Sequence, residues 1–325
     1  MGAIGGGDVE TVVGLLAADP GIARVVGPTG RTLLGEAARA FNGDHAGPPG
    51  DGGDEICAIA GHLVDAGADP TIGGTDGWTP LHSAAISGHA QLARLLLDAG
   101  APVDALVGGT AGATPLSFAE FYGHRATAEL VARHRPVPDD LRAAAGLGDL
   151  DRLHRWLDGG RPLPQGADAG MAWAGPTQWF PPRTAAPDDQ TVLDEALTWA
   201  ARSSRIEAME LLVAAGADLN ANPYRGTALL WATYSDAVGA AAWLLDHGAD
   251  PNLRHDFGGG DHGRGATAIH LAAQYGCLGC LRLLLDRGAD PDLADEAYGA
   301  TALGWARHGE QAAAIAILAA HRDQT

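Results

Sequence analysis

The chain has 325 residues, 46% of them hydrophobic, and a formal net charge of -19, with no lysine anywhere. The missing lysine excludes Schiff-base chemistry and a phosphate-loop lysine, and an acidic chain without basic runs lacks the clustered cations that nucleic-acid binding needs. No apolar stretch reaches the length of a membrane span, Met1 to Gly7 has no basic n-region, and three cysteines suit a reducing compartment, so no membrane partner and a cytoplasmic location are expected.

In chain order, Gly7-Asp8-Val9-Glu10 through Leu15-Leu16 reads as the second half of a helical unit, a partial repeat over residues 1–29. Full units begin near Thr32, Thr79, Thr114, Pro138, Thr191, Thr227, Thr267 and Thr301, the last running through Ile315 and Leu318. The unit at Thr79 shows the pattern. Thr79 is placed to N-cap a helix, Pro80 occupies the first helical position where its missing N–H is harmless, and Leu81, Ala84 and Ala85 form a narrow apolar stripe. Gly88 and His89 turn the chain into a second helix with Leu92, Leu95 and Leu96 on one face, closed by Gly100. The same stop returns as Ala66-Gly67-Ala68-Asp69, Ala215-Gly216-Ala217-Asp218, His247-Gly248-Ala249-Asp250 and Arg287-Gly288-Ala289-Asp290. The Pro138 unit keeps this spacing without the Thr-Pro-Leu-His phrase. One such helix pair cannot bury its own apolar face, whereas stacked neighbours can. The pattern therefore predicts an all-α solenoid of about eight repeats plus the N-terminal partial one, in a single domain over residues 1–325.

Self-similarity at ~33 residues with Thr79-Pro80-Leu81-His82-x-Ala84 resembles the ankyrin-repeat family over most of the chain. That resemblance implies finger loops and first helices lining a concave face that binds partner proteins. It also implies structural roles for His82 and His270, each bonding to backbone and to the motif's Thr hydroxyl. The Arg-only, Ala- and Gly-rich usage suggests a bacterial genome rich in GC.

Three insertions interrupt the repeat. Residues 42–54 and 254–265 are Gly-rich and read as flexible. Residues 161–190 carry Met171, Trp173, Trp179 and Phe180 among six prolines, which predicts a stiffened loop docked over the concave face. Aligning the first helices places Glu36, Phe118, Ala143, Glu195, Trp231, Leu271 and Trp305 with Ser83. It places Ala40, Tyr122, Leu147, Trp199, Ser235, Tyr275 and Gly309 with Ser87, and Phe121, Tyr234 and His308 with Ile86. Phe118, Tyr122, Trp173, Trp179, Trp199, Trp231, Tyr234, Tyr275 and Trp305 are thus candidate ligand-binding residues. They either pack as an enlarged core or enclose an apolar pocket edged by Glu36, Glu195 and His308. From Leu193 to Ser204 the spacing is four residues longer than from Leu81 to Gly88, which predicts an added turn within Trp199 to Arg205. Glu195 beside Trp199, and His308, are the candidate acid/base groups, weighed against a solvated glutamate at a helix start.

Cys277-x-x-Cys280 lacks a second pair, and Cys280 falls at the place of Leu92, so core packing is expected. His255-Asp256-x4-Asp261-His262 gathers ligand types in one Gly-rich finger without fixed geometry, so a solvated finger and no metal are expected. No catalytic or cofactor motif is present and no cofactor is implied. Two functions follow: a binding protein that recognises a partner through concave face and fingers, or a small-molecule binder or single-domain enzyme acting on an apolar or aromatic molecule in the pocket under 161–190.

Overall fold

The computed structural model describes residues 8–40, 53–109, 114–134, 137, 139–158, 188–223, 226–256 and 263–322. After α1 (Val9–Ala18), the described helices come in consecutive pairs. These are α2 and α3 (Leu33–Ala40, Gly53–Asp65), α4 and α5 (Pro80–Ile86, Ala90–Asp98), α6 and α7 (Pro115–Phe121, Arg125–Ala132), and α8 and α9 (Leu141–Leu147, Leu150–Leu157). Then follow α10 and α11 (Asp189–Arg202, Ile206–Ala214), α12 and α13 (Ala228–Tyr234, Val238–Asp246), α14 and α15 (Ala268–Tyr275, Leu278–Asp286), and α16 and α17 (Ala302–His308, Ala312–Arg322). The architecture is an all-α repeat stack, as the periodicity predicts.

Two compact units make up the chain, Met1–Val137 and Pro138–Thr325. In the first, the first helices α2, α4 and α6 pack in sequence, as do the second helices α3, α5 and α7. Helix α1 packs on α3, so it stands where a second helix belongs, consistent with a partial repeat. In the second unit α8, α10, α12, α14 and α16 form one layer, and α9, α11, α13, α15 and α17 the other. Small residues allow the close approach. Ala84, Ala85, Ala144, Ala145, Ala200, Ala201, Ala272 and Ala273 are all fully buried on first helices. The second helices add Leu92, Leu96, Leu153, Leu212, Leu244 and Leu284 to the core.

The Thr motif works as a reciprocal cap. His82 Nδ1 accepts from the Thr79 amide at 3.1 Å and from the Thr79 hydroxyl at 2.8 Å. His270 repeats this with Thr267. Because Nδ1 accepts, the ring proton is on Nε2, which donates to Ala300 O at 3.2 Å. Burial lowers the His270 pKa, which favours that neutral form. Both histidines are structural, as the family resemblance implies.

The repeated stop is also explained. Gly216, Gly248 and Gly288 have φ of 104°, 98° and 84°, where a Cβ is strained. The aspartate amide two residues on then joins a ladder between repeats. Asn220 Oδ1 accepts from Asp250 N and Asn252 Oδ1 from Asp290 N, each at 2.8 Å. Asp194 Oδ1 accepts from Asp218 N at the same distance.

That last contact corrects the expected position of the added turn. Helix α10 has 14 residues where α4, α6, α12 and α16 have 7, about two turns more. The extra length lies at its N-terminal end, before Glu195, not within Trp199 to Arg205. There Gln190 donates to Gly216 O and Asp194 serves Asp218, so helix replaces the turn that Asn220 and Asn252 serve in later repeats. Desolvation raises the Asp194 pKa despite its hydrogen bonds. The flanks of the 254–265 insertion form a short antiparallel pair, β1 (His255–Asp256) and β2 (Arg264–Ala266). Most of the 42–54 and 161–190 insertions lies outside the described residues.

Candidate functional site

The left-handed residue between paired helices fixes the register of each repeat. It is Gly88, Gly123, Gly148, Ser204, Asp236, Gly276 and Glu310 in the successive pairs from α4 onward. Counting back from it, Trp199 is equivalent to Ser83, Phe118, Trp231 and Trp305, and Glu195 to Thr79, Thr227, Thr267 and Thr301. The alignment on Thr191 was therefore four residues out of register, because it took α10 to start where the other first helices start. Three tryptophans, Trp199, Trp231 and Trp305, share one position in their repeats.

In the first unit, Phe118 is buried among Trp78 and His82, with ring centroids at 5.1 and 5.8 Å. The Trp78 indole N–H donates to Ser83 Oγ at 2.8 Å. Trp78 immediately precedes the Thr79 motif, so an alignment of first helices does not reach it. Tyr122 is half-buried, edge-on to Phe121 at 5.0 Å and stacked on His124 at 6.2 Å. Glu36 is half-buried on α2, with Thr29 Oγ1 3.4 Å away.

In the second unit, two arginines that the sequence analysis did not single out organise the tryptophans. The Arg202 guanidinium lies 3.7 Å from the Trp231 ring centroid and 5.8 Å from that of Trp199. Arg142 stands 5.9 Å from the Trp199 centroid, and its Nη1 is 3.7 Å from Glu195 Oε2. All five side chains are buried, Trp231 at 0% and Glu195 at 2% exposure. Glu195 is thus a buried, paired carboxylate rather than a solvated one at a helix start. The signal for Arg202 was its spacing of one helical turn from Trp199.

From Trp231 the aromatic line continues to Tyr234 at 5.8 Å and on to Tyr275 at 5.0 Å. Burial pushes the Tyr275 phenol up to about 12. Cys277 and Cys280 are fully buried beside Asp236, whose Oδ1 accepts from Cys280 N at 2.8 Å. Desolvation raises both thiols, Cys277 to about 12, so neither offers a thiolate. Core packing is their role.

Trp305 has different surroundings. Its Nε1 donates to Asp295 Oδ2 at 2.9 Å and its ring is edge-on to His270 at 5.5 Å. Beside it a recess of about 300 Å³ is lined by Gln274, Tyr298, Ala300, Gly304, Trp305 and His308. Desolvation opposes the charge on Asp295, but hydrogen bonds from the Trp305 indole and the amides of Tyr298 and Ala300 outweigh it and hold the carboxyl below its ordinary value. Tyr298 escaped the sequence analysis because it lies in the finger, outside the aligned first helices, and Gln274 because it is the polar residue at the position shared by Ile86, Phe121, Tyr234 and His308.

The structure thus brings Trp199 together with Trp231, Trp231 with Tyr234 and Tyr275, and Trp305 with His308. Phe118 and Tyr122 belong to the other unit. Trp173, Trp179, Asp261 and His262 lie outside the described residues. Among the described residues no group of three or more His, Cys, Asp or Glu side chains is arranged to hold a metal ion. No described helix is long and apolar enough to cross a membrane.

Capped short first helices, glycine-stopped second helices and the hydrogen-bonded ladder between them define a helical repeat protein. A family model for ankyrin repeats (3 copies) matches residues 54–140 and 184–255, and an ankyrin-repeat model matches residues 264–296. The chain belongs to the ankyrin-repeat family, whose repeats generally mediate protein–protein interaction. No curated protein matches it.

Proposed function

We propose that this protein holds a partner polypeptide along its finger loops and first helices, the concave face of the family. The observation that carries the reading is the recess beside Trp305, which opens between the finger at Tyr298 and the first helices α14 and α16. Interfaces concentrate their binding energy in such pockets, filled by a few large side chains. The net charge of -19 weighs against nucleic acid as the partner.

A photoreactive amino acid tests this. Placed at Tyr298, which is 64% exposed, it yields a protein-sized adduct in cells, and placed at the exposed Arg282 on the second helix α15 it yields none. Equal capture at both positions, or none at Tyr298, refutes the reading.

The same recess favours a second reading, in which the ligand is a small aromatic molecule. Native mass spectrometry of the purified protein checks it through the mass of a bound compound. His308 lines the recess and Glu195 does not, so the candidate acid/base groups do not converge there.

A further inference from the structure

We infer that the recess beside Trp305 is an anchor pocket for one tryptophan or tyrosine side chain of the partner polypeptide, whose ring N–H or O–H donates to Gln274 Oε1. This rests on the partner-binding reading above and specifies what that partner inserts.

Size comes first. At about 300 Å³ the recess is at the lower end of the ~300–1,000 Å³ typical of ligand sites, room for one ring system rather than a larger ligand. Its walls select a flat apolar group, since Ala300 and Gly304 contribute no more than a methyl, and Trp305 and Tyr298 contribute rings.

The carboxylate behind the wall is no bait for a cation. Asp295 already accepts from Tyr298 N at 2.6 Å, Ala300 N at 3.0 Å and Trp305 Nε1 at 2.9 Å. Its charge serves the finger and the indole, which fixes the Trp305 ring as a rigid wall.

The polar signal is Gln274. This half-buried residue on α14 turns its Oε1 into the protein, where the oxygen is shielded from solvent and meets no donor among the described residues. A buried amide oxygen without a donor is unfavourable, and the terminal torsion of glutamine is soft. A ring donor seated in the recess draws the amide outward and gives that oxygen its partner. A phenylalanine or leucine side chain fills the same space and leaves the oxygen unpaired. The recess therefore discriminates by hydrogen bonding as well as by shape.

Two-dimensional NMR of the whole chain reads this out with N-acetyl-tryptophanamide, its 1-methylindole analogue and the peptide Gly-Gly-Trp-Gly-Gly as probes. The expected result is that the tryptophanamide and the peptide both shift the Trp305 indole and Gln274 amide signals. Methylation of the indole nitrogen weakens binding about tenfold, equivalent to about 1.4 kcal/mol. Gln274→Leu folds at least as stably as the parent, because it removes an unpaired oxygen, and binds the two tryptophanamide probes alike. Tyr298→Ala weakens all three probes. Equal affinity of the parent protein for the methylated and unmethylated probes overturns the proposal. So does a free tryptophanamide that binds while the peptide is excluded, which marks a small-molecule site. If a polypeptide is captured at Tyr298 but no probe moves the recess signals, this inference fails while the partner-binding reading stands.

Discussion

Trp231 and Trp305 occupy the same position in their repeats, yet one is core and the other is the wall of a recess. Over Trp231 the preceding repeat lays Arg202, whose guanidinium sits 3.7 Å from the ring centroid, and the indole has no exposed surface. At Trp305 the corresponding cover is missing. The equivalent of Arg202 in the repeat before it is Gln274, whose shorter amide leaves about 300 Å³ open, and the residues alongside are Ala300 and Gly304. A tryptophan at this position is thus neither core nor site in itself. For these two the residue one turn C-terminal to the counterpart in the preceding repeat decides, because it either reaches across the indole face or stops short of it. Trp199, with Gly146 at that place, is covered by Arg142 and by Arg202 of its own helix instead.

The sharpest way to break this contrast is to truncate the two rings. Trp231→Ala removes a fully enclosed side chain and the stacking surface of Arg202, and is expected to cost about 3–5 kcal/mol in urea unfolding. Trp305→Ala, beside space that is already open, costs less. A larger loss at Trp305 would show that the recess is filled in solution.

The charged pair behind Trp199 gives the next effect. Arg142 and Glu195 are buried 3.7 Å apart, so Glu195→Leu alone strands a guanidinium and is expected to cost about 3 kcal/mol. Adding Arg142→Met recovers most of that loss, since neither charge then remains without its partner. A double-mutant cycle measures the coupling. If the double variant is as unstable as the single, Glu195 has a structural partner other than Arg142.

Much of this fold was legible in the chain, and the reason is local. Thr79, Thr114, Thr227, Thr267 and Thr301 are N-caps, Gly216, Gly248 and Gly288 are left-handed stops, and these two signals alone place most of the helices. The register failed at α10, where Asp188 caps a helix that begins about two turns early and Ser204 takes a left-handed φ of 53° without being glycine. Both departures removed the marks on which alignment depends. The site was legible only as residue types. That Trp199, Trp231 and Trp305 are special could be seen. That Arg142, Arg202 and Gln274 decide what the indoles do could not, because apart from the Arg202–Trp199 spacing within α10 those contacts cross between repeats.

A smaller effect probes the Trp305 wall. The Asp295 carboxyl is held below its ordinary pKa, so its contribution to stability is fully present above the unfolded value of about 3.9 and is lost as pH falls through the lower folded value. The indole signal of Trp305 in NMR is expected to change on acidification below about pH 4, while that of Trp231 follows only global unfolding. Asp295→Asn keeps an oxygen for some of the donors, is expected to cost about 1–2 kcal/mol, and abolishes that acid step. An acid transition that survives Asp295→Asn would assign it to another carboxylate.

The smallest expected effect separates the same two repeats by the sign of one substitution. Asp236, which follows Trp231, and Glu310, which follows Trp305, both hold left-handed backbones, at φ 47° and 55°. For a residue with a Cβ that conformation costs roughly 1–2 kcal/mol, and glycine relieves it at an entropic cost of about 0.5–1 kcal/mol in the unfolded chain. Glu310 is exposed, so Glu310→Gly is expected to stabilise by about 0.5 kcal/mol. Asp236 receives the Cys280 amide at 2.8 Å and sits against Gly279, where a Cβ would press on Val238 and the Asp236 carboxylate. Asp236→Gly therefore loses more in hydrogen bonding than it gains in backbone relief, and thermal unfolding should show it destabilised. Should both variants shift stability in the same direction, the Trp231 repeat is no more tightly tied to its neighbour than the Trp305 repeat, and the contrast between them rests on Arg202 and Gln274 alone.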